Sequence, residues 1–289
     1  MRDTGQMGVR EVLGQVIFER VAGDEGPAHR ERIHGSPGPR RFGPGDAIVT
    51  VHADASMFIG GIRALLLQSL HPLAMAAVDE HSGYRGDPWG RLHRTSTFLA
   101  ETTFATTEDA DRAIRIVRAV HGRIHGTAPD GRPYRASDPH LLKWVHVAEV
   151  DSFLRAHDRY GSTKLSPAKR DEYVAQTAVV GRALGADRVP TTVAELEQAL
   201  ADFRPELAGT EAARRTARFI LVNPPVPLAL RAPYGVLAAS AIAMMPRWTR
   251  WPLRLPYLPV AEGTVVRASG EVATRAIRWA MTPPERSTT

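Results

Sequence analysis

A side chain able to cap a helix, followed by proline or by an acidic residue one turn on, recurs along this chain. It stands at Asp87-Pro88, Asp138-Pro139, Ser166-Pro167 and Thr192 with Glu195. Asp, Ser and Thr accept hydrogen bonds from the free N–H groups of a first turn, and proline there forfeits only an N–H that had no partner. Glycines close the runs that follow, at Gly126, Gly161 and Gly185. Between them apolar residues recur at helical spacing. This punctuation leaves little room for strands. It predicts an all-α fold, a single globin-like helical domain of about nine or ten helices.

The same signals place the elements. A first helix spans roughly Arg10 to Val21, and a Gly/Pro/Arg-rich segment from Gly23 to Gly45 forms an arm that packs over the body or is partly mobile. Residues 46–289 then make one helical domain, with no internal repeat or shift in composition to divide it. Ser56 or Asp54 caps the run MFIGGIRALLLQSL, which His71-Pro72 interrupts. Helices follow from 88 to 104, from Thr106 or Thr107 to Gly126, from Asp138 to Tyr160, from Ser166 to Gly185 and from Thr192 to Phe203. Others start after Gly209 and Pro233, and an amphipathic one covers 262–281. The one rival signal is AIVTVHAD at 47–54, a short strand by its β-branched run.

Composition removes whole classes of function. There is no Cys, which excludes a disulfide scaffold and a thiolate-held zinc or iron–sulfur site. No apolar stretch reaches the roughly 18 residues a transmembrane helix needs. The stretch Ala232 to Met245 is nearly uncharged but short, which suits a buried core helix. MRDTGQMGVREVLGQ shows no apolar signal region, so a cytoplasmic protein is the expectation. The net charge is +6, yet Lys143, Lys164 and Lys169 are the only lysines and the cations are scattered. No basic recognition helix stands out, so nucleic acid is not an expected partner. PRWTRWPLRLPYLP, at 246–259, mixes Trp248, Trp251 and Tyr257 with Arg247, Arg250 and Arg254. Such a mixture suits a peripheral membrane contact near 247–257 or the rim of an apolar channel, and equally a connector whose aromatics pack inward.

The reactive residues gather in the first half, because all 11 histidines lie between 29 and 157. His121 and His125, four apart on one predicted helix, share a face and can bind one metal, although HExxH is absent. Arg91, Arg94 and Thr95 form R-x-x-R-T. These cations either look inward toward an anionic partner or pair with Asp87 or Glu101 at the surface. Trp144, His146 and Asp151 come from a third helix, where His146 reads as a hydrogen-bonded core histidine. His71, before a proline, reads as a hinge or a ligand. No G-x-S-x-G elbow and no phosphate-binding loop is present.

Three blocks together carry a resemblance: LLLQSLHPLAMAAVDEHSGYRGDPWGRLHRTSTFL (66–99), VRAVHGRIHGTAPDGRPYRASDPHLLKWVHVAEVDSFL (117–154) and GRALGADRVPTTVAEL (181–196). They resemble the MpaB / rubber-oxygenase family, which includes the latex-clearing proteins. That resemblance implies an all-helical domain holding haem b, with O₂ used on a hydrophobic, isoprenoid-like small molecule. It implies His121, in R-x-x-H with Arg118, as the proximal iron ligand. Arg91 and Thr95 match the distal-side motif, and His125 stands where it can reach a propionate. Arg94 takes the place of a lysine that ligates iron in the rubber enzymes. A guanidinium stays protonated, so Arg94 is expected to pair with a propionate or polarise O₂ instead. The resemblance assigns no position in this chain to the acidic residue those enzymes use near the substrate. Other readings are a haem oxidase, dehydrogenase or peroxygenase, and a haem-free helical protein that binds a lipid or polyketide.

Overall fold

Most of the capping side chains act as their chemistry predicts, although Ser56 makes no side-chain cap to the helix it precedes. In the computed structural model, which describes residues 9–23, 25–81, 87–224 and 226–282, Asp87 accepts from the N–H of Gly90 and Thr106 from that of Asp109. Asp138 accepts from His140, Ser166 from Lys169, Thr192 from Glu195 and Thr210 from Ala213. Residues 1–8, on which the reading of the N-terminus rests in part, and 82–86, within the first matching block, lie outside the described residues.

The chain begins with α1 (Val9–Ala22), α2 (Gly26–Gly35), α3 (Ala47–His52), α4 (Met57–Gln68), α5 (Pro72–His81), α6 (Pro88–Phe104) and α7 (Thr107–His121). A hairpin of β1 (His125–Thr127) and β2 (Pro133–Arg135) follows, with His125 opposite Arg135. Next come α8 (Pro139–Tyr160), α9 (Pro167–Leu184), α10 (Val193–Phe203), α11 (Glu211–Val222), α12 (Arg231–Ala243) and α13 (Arg247–Leu253). The short α14 (Pro259–Ala261) leads through a π-helical stretch, Glu262–Val266, into α15 (Arg267–Met281). Helices account for 72% of the structure and the hairpin is the only sheet among the described residues. The fold is all-α, in more and shorter helices than the about nine or ten expected.

The 22-residue α8 is the spine, with α4, α9 and α10 packed around it. Gly60 lets α4 come close: a Cβ there would sit 2.8 Å from the Phe153 ring. Ile59, Leu66, Leu67, Trp144, Val147 and Leu154, all at most 2% exposed, make the centre of the core. Burying each such side chain contributes roughly 1.5–3 kcal/mol before chain entropy is counted.

Two expectations are corrected. AIVTVH, at 47–52, is a helix, α3, and among the described residues no strand lies beside it to pair with. Its N–H groups at Ala47 and Ile48 are taken up by Glu172 (3.0 Å) and Gln176 (2.9 Å) from α9, which replaces the missing local cap. The helix expected to reach Gly126 stops at His121, where Gly122 caps it and Ile124 N–H turns back to the His121 carbonyl. His125 therefore leaves the helix for β1 and does not share a face with His121. The Gly23–Gly45 arm contains α2 and packs on the body. Arg40 donates to the Ile33 carbonyl (2.7 Å), and Arg41 pairs with Asp111 of α7 (2.6 Å).

Among the described residues no single helix is long and apolar enough to cross a membrane. The Trp/Arg segment splits: Trp248 packs on the core beneath Arg204, while Trp251 is 90% exposed. Arg250 is buried and bound to Glu262 (2.9 and 3.0 Å), so this cation serves the fold.

Candidate functional site

Residue spacing on α8 decides what lies on either side of it. Leu142, Val145, His146, Glu149, Val150 and Phe153 recur at three and four residues and so form one stripe. That stripe faces a cavity of about 100 Å³. The opposite wall comes from α9, with Tyr173, Thr177 and Gly181 on one stripe; α6 adds Phe98, Leu99, Thr102 and Thr103. His52 enters from α3, and His121, the last residue of α7, closes the ring of helices.

The groups in this cavity are kept neutral by burial. His121 is lowered from its usual value by desolvation alone, and its Nδ1 is buried with no hydrogen-bond partner. His146 is pushed down to about 4, by burial first and by the Arg182 charge second, and its Nε2 is likewise unpartnered. A Cβ at Gly181 would sit 2.8 Å from His146 Nδ1, so the glycine keeps the space this ring occupies. His52 falls to about 3 through burial; its Nδ1 meets Thr103 Oγ1 at 2.8 Å and its Nε2 meets the Tyr173 hydroxyl at 3.3 Å.

Glu149 is the exception in kind. Burial raises its carboxyl to about 7, and neither a hydrogen bond nor an ion pair holds it among the described residues. It lies deep in the protein yet keeps part of its surface open, and that surface faces the cavity. Burial and then the Glu149 charge raise Tyr173 well above the ordinary phenol range. An imidazole that stays neutral is available as a metal ligand or proton acceptor. A carboxyl near 7 can hold or release a proton at neutral pH.

The residues singled out from the sequence divide. His121 and His146 are in the cavity wall, although His146 is not the hydrogen-bonded core residue expected. Arg91 and Thr95 continue the α6 stripe of Phe98 and Thr102 toward the helix start. There Thr95 is exposed, and its hydroxyl donates to the Arg91 carbonyl at 3.0 Å. Arg94 is 66% exposed at its side chain and lies 3.6 Å from Asp87, one of the two surface partners weighed from the sequence. The other, Glu101, is bound by Arg32 instead. Arg118 is exposed and donates to the Ala183 carbonyl at the end of α9 (3.0 Å), and His125 is exposed on β1. His71 sits at the α4–α5 corner, away from the cavity.

Glu149, His52 and Tyr173 escaped the sequence reading. A signal existed for Glu149, the lone carboxylate in an α8 stripe otherwise made of apolar residues and His146. None existed for His52 and Tyr173, which meet only through tertiary packing.

The model of one family, described as ER-bound oxygenase mpaB/B′/rubber oxygenase, catalytic domain, matches residues 49–279, from within α3 to within α15. No curated protein and no solved structure matches the chain. The matched span takes in all the helices that wall the cavity except the first residues of α3, and it covers most of the 289 residues. The chain therefore belongs to the MpaB / rubber-oxygenase family, a family of oxygenases.

Proposed function

We propose that this protein is a haem-b-dependent oxygenase that uses O₂ on an apolar, isoprenoid-like small molecule, with His121 as the proximal iron ligand. The observation that carries this reading is His121 itself: a neutral imidazole, its Nδ1 buried without a partner, on the wall of an apolar cavity inside the family's span. The donor set fits the group, because haem iron takes a neutral imidazole within an apolar envelope. The volume fits less readily. About 100 Å³ is below the roughly 300 Å³ at which small-molecule sites begin, so loading requires the walls to part, for example by movement of α7, which packs on α6 and α9.

In this reading Arg91, Arg94, Arg118 and His125 lie toward the solvent side, where cations and donors serve propionates, and Thr95 offers a hydroxyl beside them. Bound haem supplies the oxygen chemistry. The chain's own contribution is to exclude water, orient the substrate along the apolar α8 and α9 stripes, and hold a proton at the Glu149 carboxyl.

The test is a visible spectrum of purified protein with and without dithionite, followed by a pyridine haemochrome assay. A b-type haemochrome in the wild type and loss of haem in His121→Ala is the expected result. Full haem occupancy in that variant removes His121 as the ligand. A wild-type protein that stays colourless after haem is added overturns the oxygenase reading in favour of an apolar-ligand binder.

A further inference from the structure

Outside the cavity lining, three side chains from distant parts of the chain converge. His71 stands at the break between α4 and α5, whose axes differ by 107°. His140 lies in the first turn of α8, and Glu206 ends the 3₁₀ turn that follows α10. His140 Nε2 is 2.9 Å from both carboxylate oxygens of Glu206, and His71 Nε2 is 3.4 Å from Glu206 Oε2. One ligand atom from each of the three lies within 4.8 Å of the other two.

His71 is the independent sign that something is bound there. The residue is 1% exposed, and the contact of its buried Nε2 with Glu206, at 3.4 Å, does not make a well-formed hydrogen bond. Native structures normally satisfy a buried nitrogen better than that, and an ion between the two groups would do so. The N–H of Ala74 approaches Nδ1 only at 3.5 Å, the length limit for a hydrogen bond, and does not commit the ring to the tautomer that would block Nε2.

The surroundings hold the three groups in place. Trp144 Nε1 donates to the Gln68 carbonyl (3.1 Å), and Ala208 N–H to the Leu70 carbonyl (2.8 Å), on either side of the corner. The His140 ring packs against Phe203 at 4.7 Å, and Asp138 caps the turn that carries it. Arg132, the nearby cation, is neutralised by Asp130 at 2.7 and 2.9 Å.

We propose that His71, His140 and Glu206 form a site for a divalent transition-metal ion of the zinc class, with a further position open to solvent. Two imidazoles and one carboxylate, without thiolate, suit such ions better than calcium or magnesium. A tetrahedral zinc ion roughly 2.0–2.2 Å from each donor places neighbouring ligand atoms about 3.3–3.6 Å apart; the His71–Glu206 separation of 3.4 Å meets that, and His140, at 2.9 Å from Glu206, has only to move back by a few tenths of an ångström. The open position follows from the exposure of His140 and Glu206, against the burial of His71. The ion would tie the α4–α5 corner to the start of α8 and the end of α10, and the site does not depend on the haem reading.

The test uses full-length, tag-free protein stripped with a chelator. Zn²⁺ is titrated by calorimetry, Co²⁺ by visible spectroscopy, and Tm is followed with and without Zn²⁺. One ion per chain and a rise in Tm are expected. His140→Ala and Glu206→Ala, both at exposed positions that the fold tolerates, should each weaken Zn²⁺ binding at least about tenfold and abolish the rise. His146→Ala, in the cavity, should change neither. No uptake at about 100 μM Zn²⁺, or uptake that survives either of the first two substitutions, overturns the site. Loss of uptake in His146→Ala overturns it too, by moving the ion to the cavity.

Discussion

The two faces of α8 bury polar groups in opposite ways. Toward α4, Asp151 is 2% exposed and fully engaged. It accepts from Arg63 (2.7 Å) and from Arg155 (2.7 Å), while Arg63, 0% exposed, also donates to Ser152 Oγ (2.6 Å) and the Met244 carbonyl (3.1 Å). Toward α9, His146 and Glu149 are largely enclosed, keep part of their surface open to the cavity, and lack partners among the described residues. The first face holds charges that the protein itself satisfies; the second holds groups whose ionisation burial has suppressed. A buried polar group with every bond made fixes the fold. One left open, in a cavity, awaits something the chain does not contain.

The largest effect should come from breaking the satisfied face. Asp151→Asn leaves the Arg63 guanidinium buried without its counter-charge, and such a loss costs about 3–5 kcal/mol. Urea unfolding measures it. Replacing both partners, with Arg63→Met and Asp151→Leu, should recover much of the loss, because it removes the stranded charge along with the pair. A single substitution costing less than about 1 kcal/mol would mean that α4 and α8 are held by apolar packing alone.

The open face should respond to pH, and with the opposite sign on substitution. The folded pKa of Glu149 is raised, to about 7 from 4.5, so the stability tied to it is present below about 4.5 and lost as pH rises through about 7. His52 and His146 work the other way. Their folded values lie near 3 and 4, below the usual 6.5, so their contribution is present above 6.5 and lost as pH falls toward the folded values. In Glu149→Gln the loss on the alkaline side should disappear, and its stability relative to the wild type should grow by up to roughly 3 kcal/mol between about pH 5 and pH 8. Parallel pH profiles for the two proteins would show that the carboxyl is solvated and the cavity is not closed to water.

How much of this was legible in the sequence follows the range of the interactions. Helix starts at Asp87, Asp138, Ser166 and Thr192 are local chemistry, and each appears where the residues place it. Elements set by distant partners were misread. The β-branched run at 47–52 is helical because Glu172 and Gln176 cap it from α9. The helix before His125 ends early, at Gly122, where a partner strand about ten residues on is available to take up the chain. The same divide runs through the site. His121 was found from the histidine clustering and the family blocks. Glu149 left a signal as the lone carboxylate of its stripe, but which face of α8 is the packed one had to come from the tertiary structure, and the His71, His140 and Glu206 cluster spans a separation that no spacing rule bridges.

Two arginines give the comparison its smallest and sharpest test. Arg63 and Arg94 are chemically identical, and each has a carboxylate near it. Arg63 is wholly enclosed, whereas the Arg94 and Asp87 side chains are 66% and 63% exposed and 3.6 Å apart. Water and salt screen the second pair, so Arg94→Ala should change stability by no more than about 0.5 kcal/mol, and added salt should erase even that. Stability alone therefore cannot account for R-x-x-R-T, and the same variant should be assayed for haem content and spectrum. An altered spectrum at unchanged stability would place the Arg94 guanidinium at the cofactor, which requires α6 to turn its first turns inward on loading. Unchanged spectrum and stability together would leave Arg94 as a surface charge, and would confine the cofactor's surroundings to the enclosed stripes of α8 and α9.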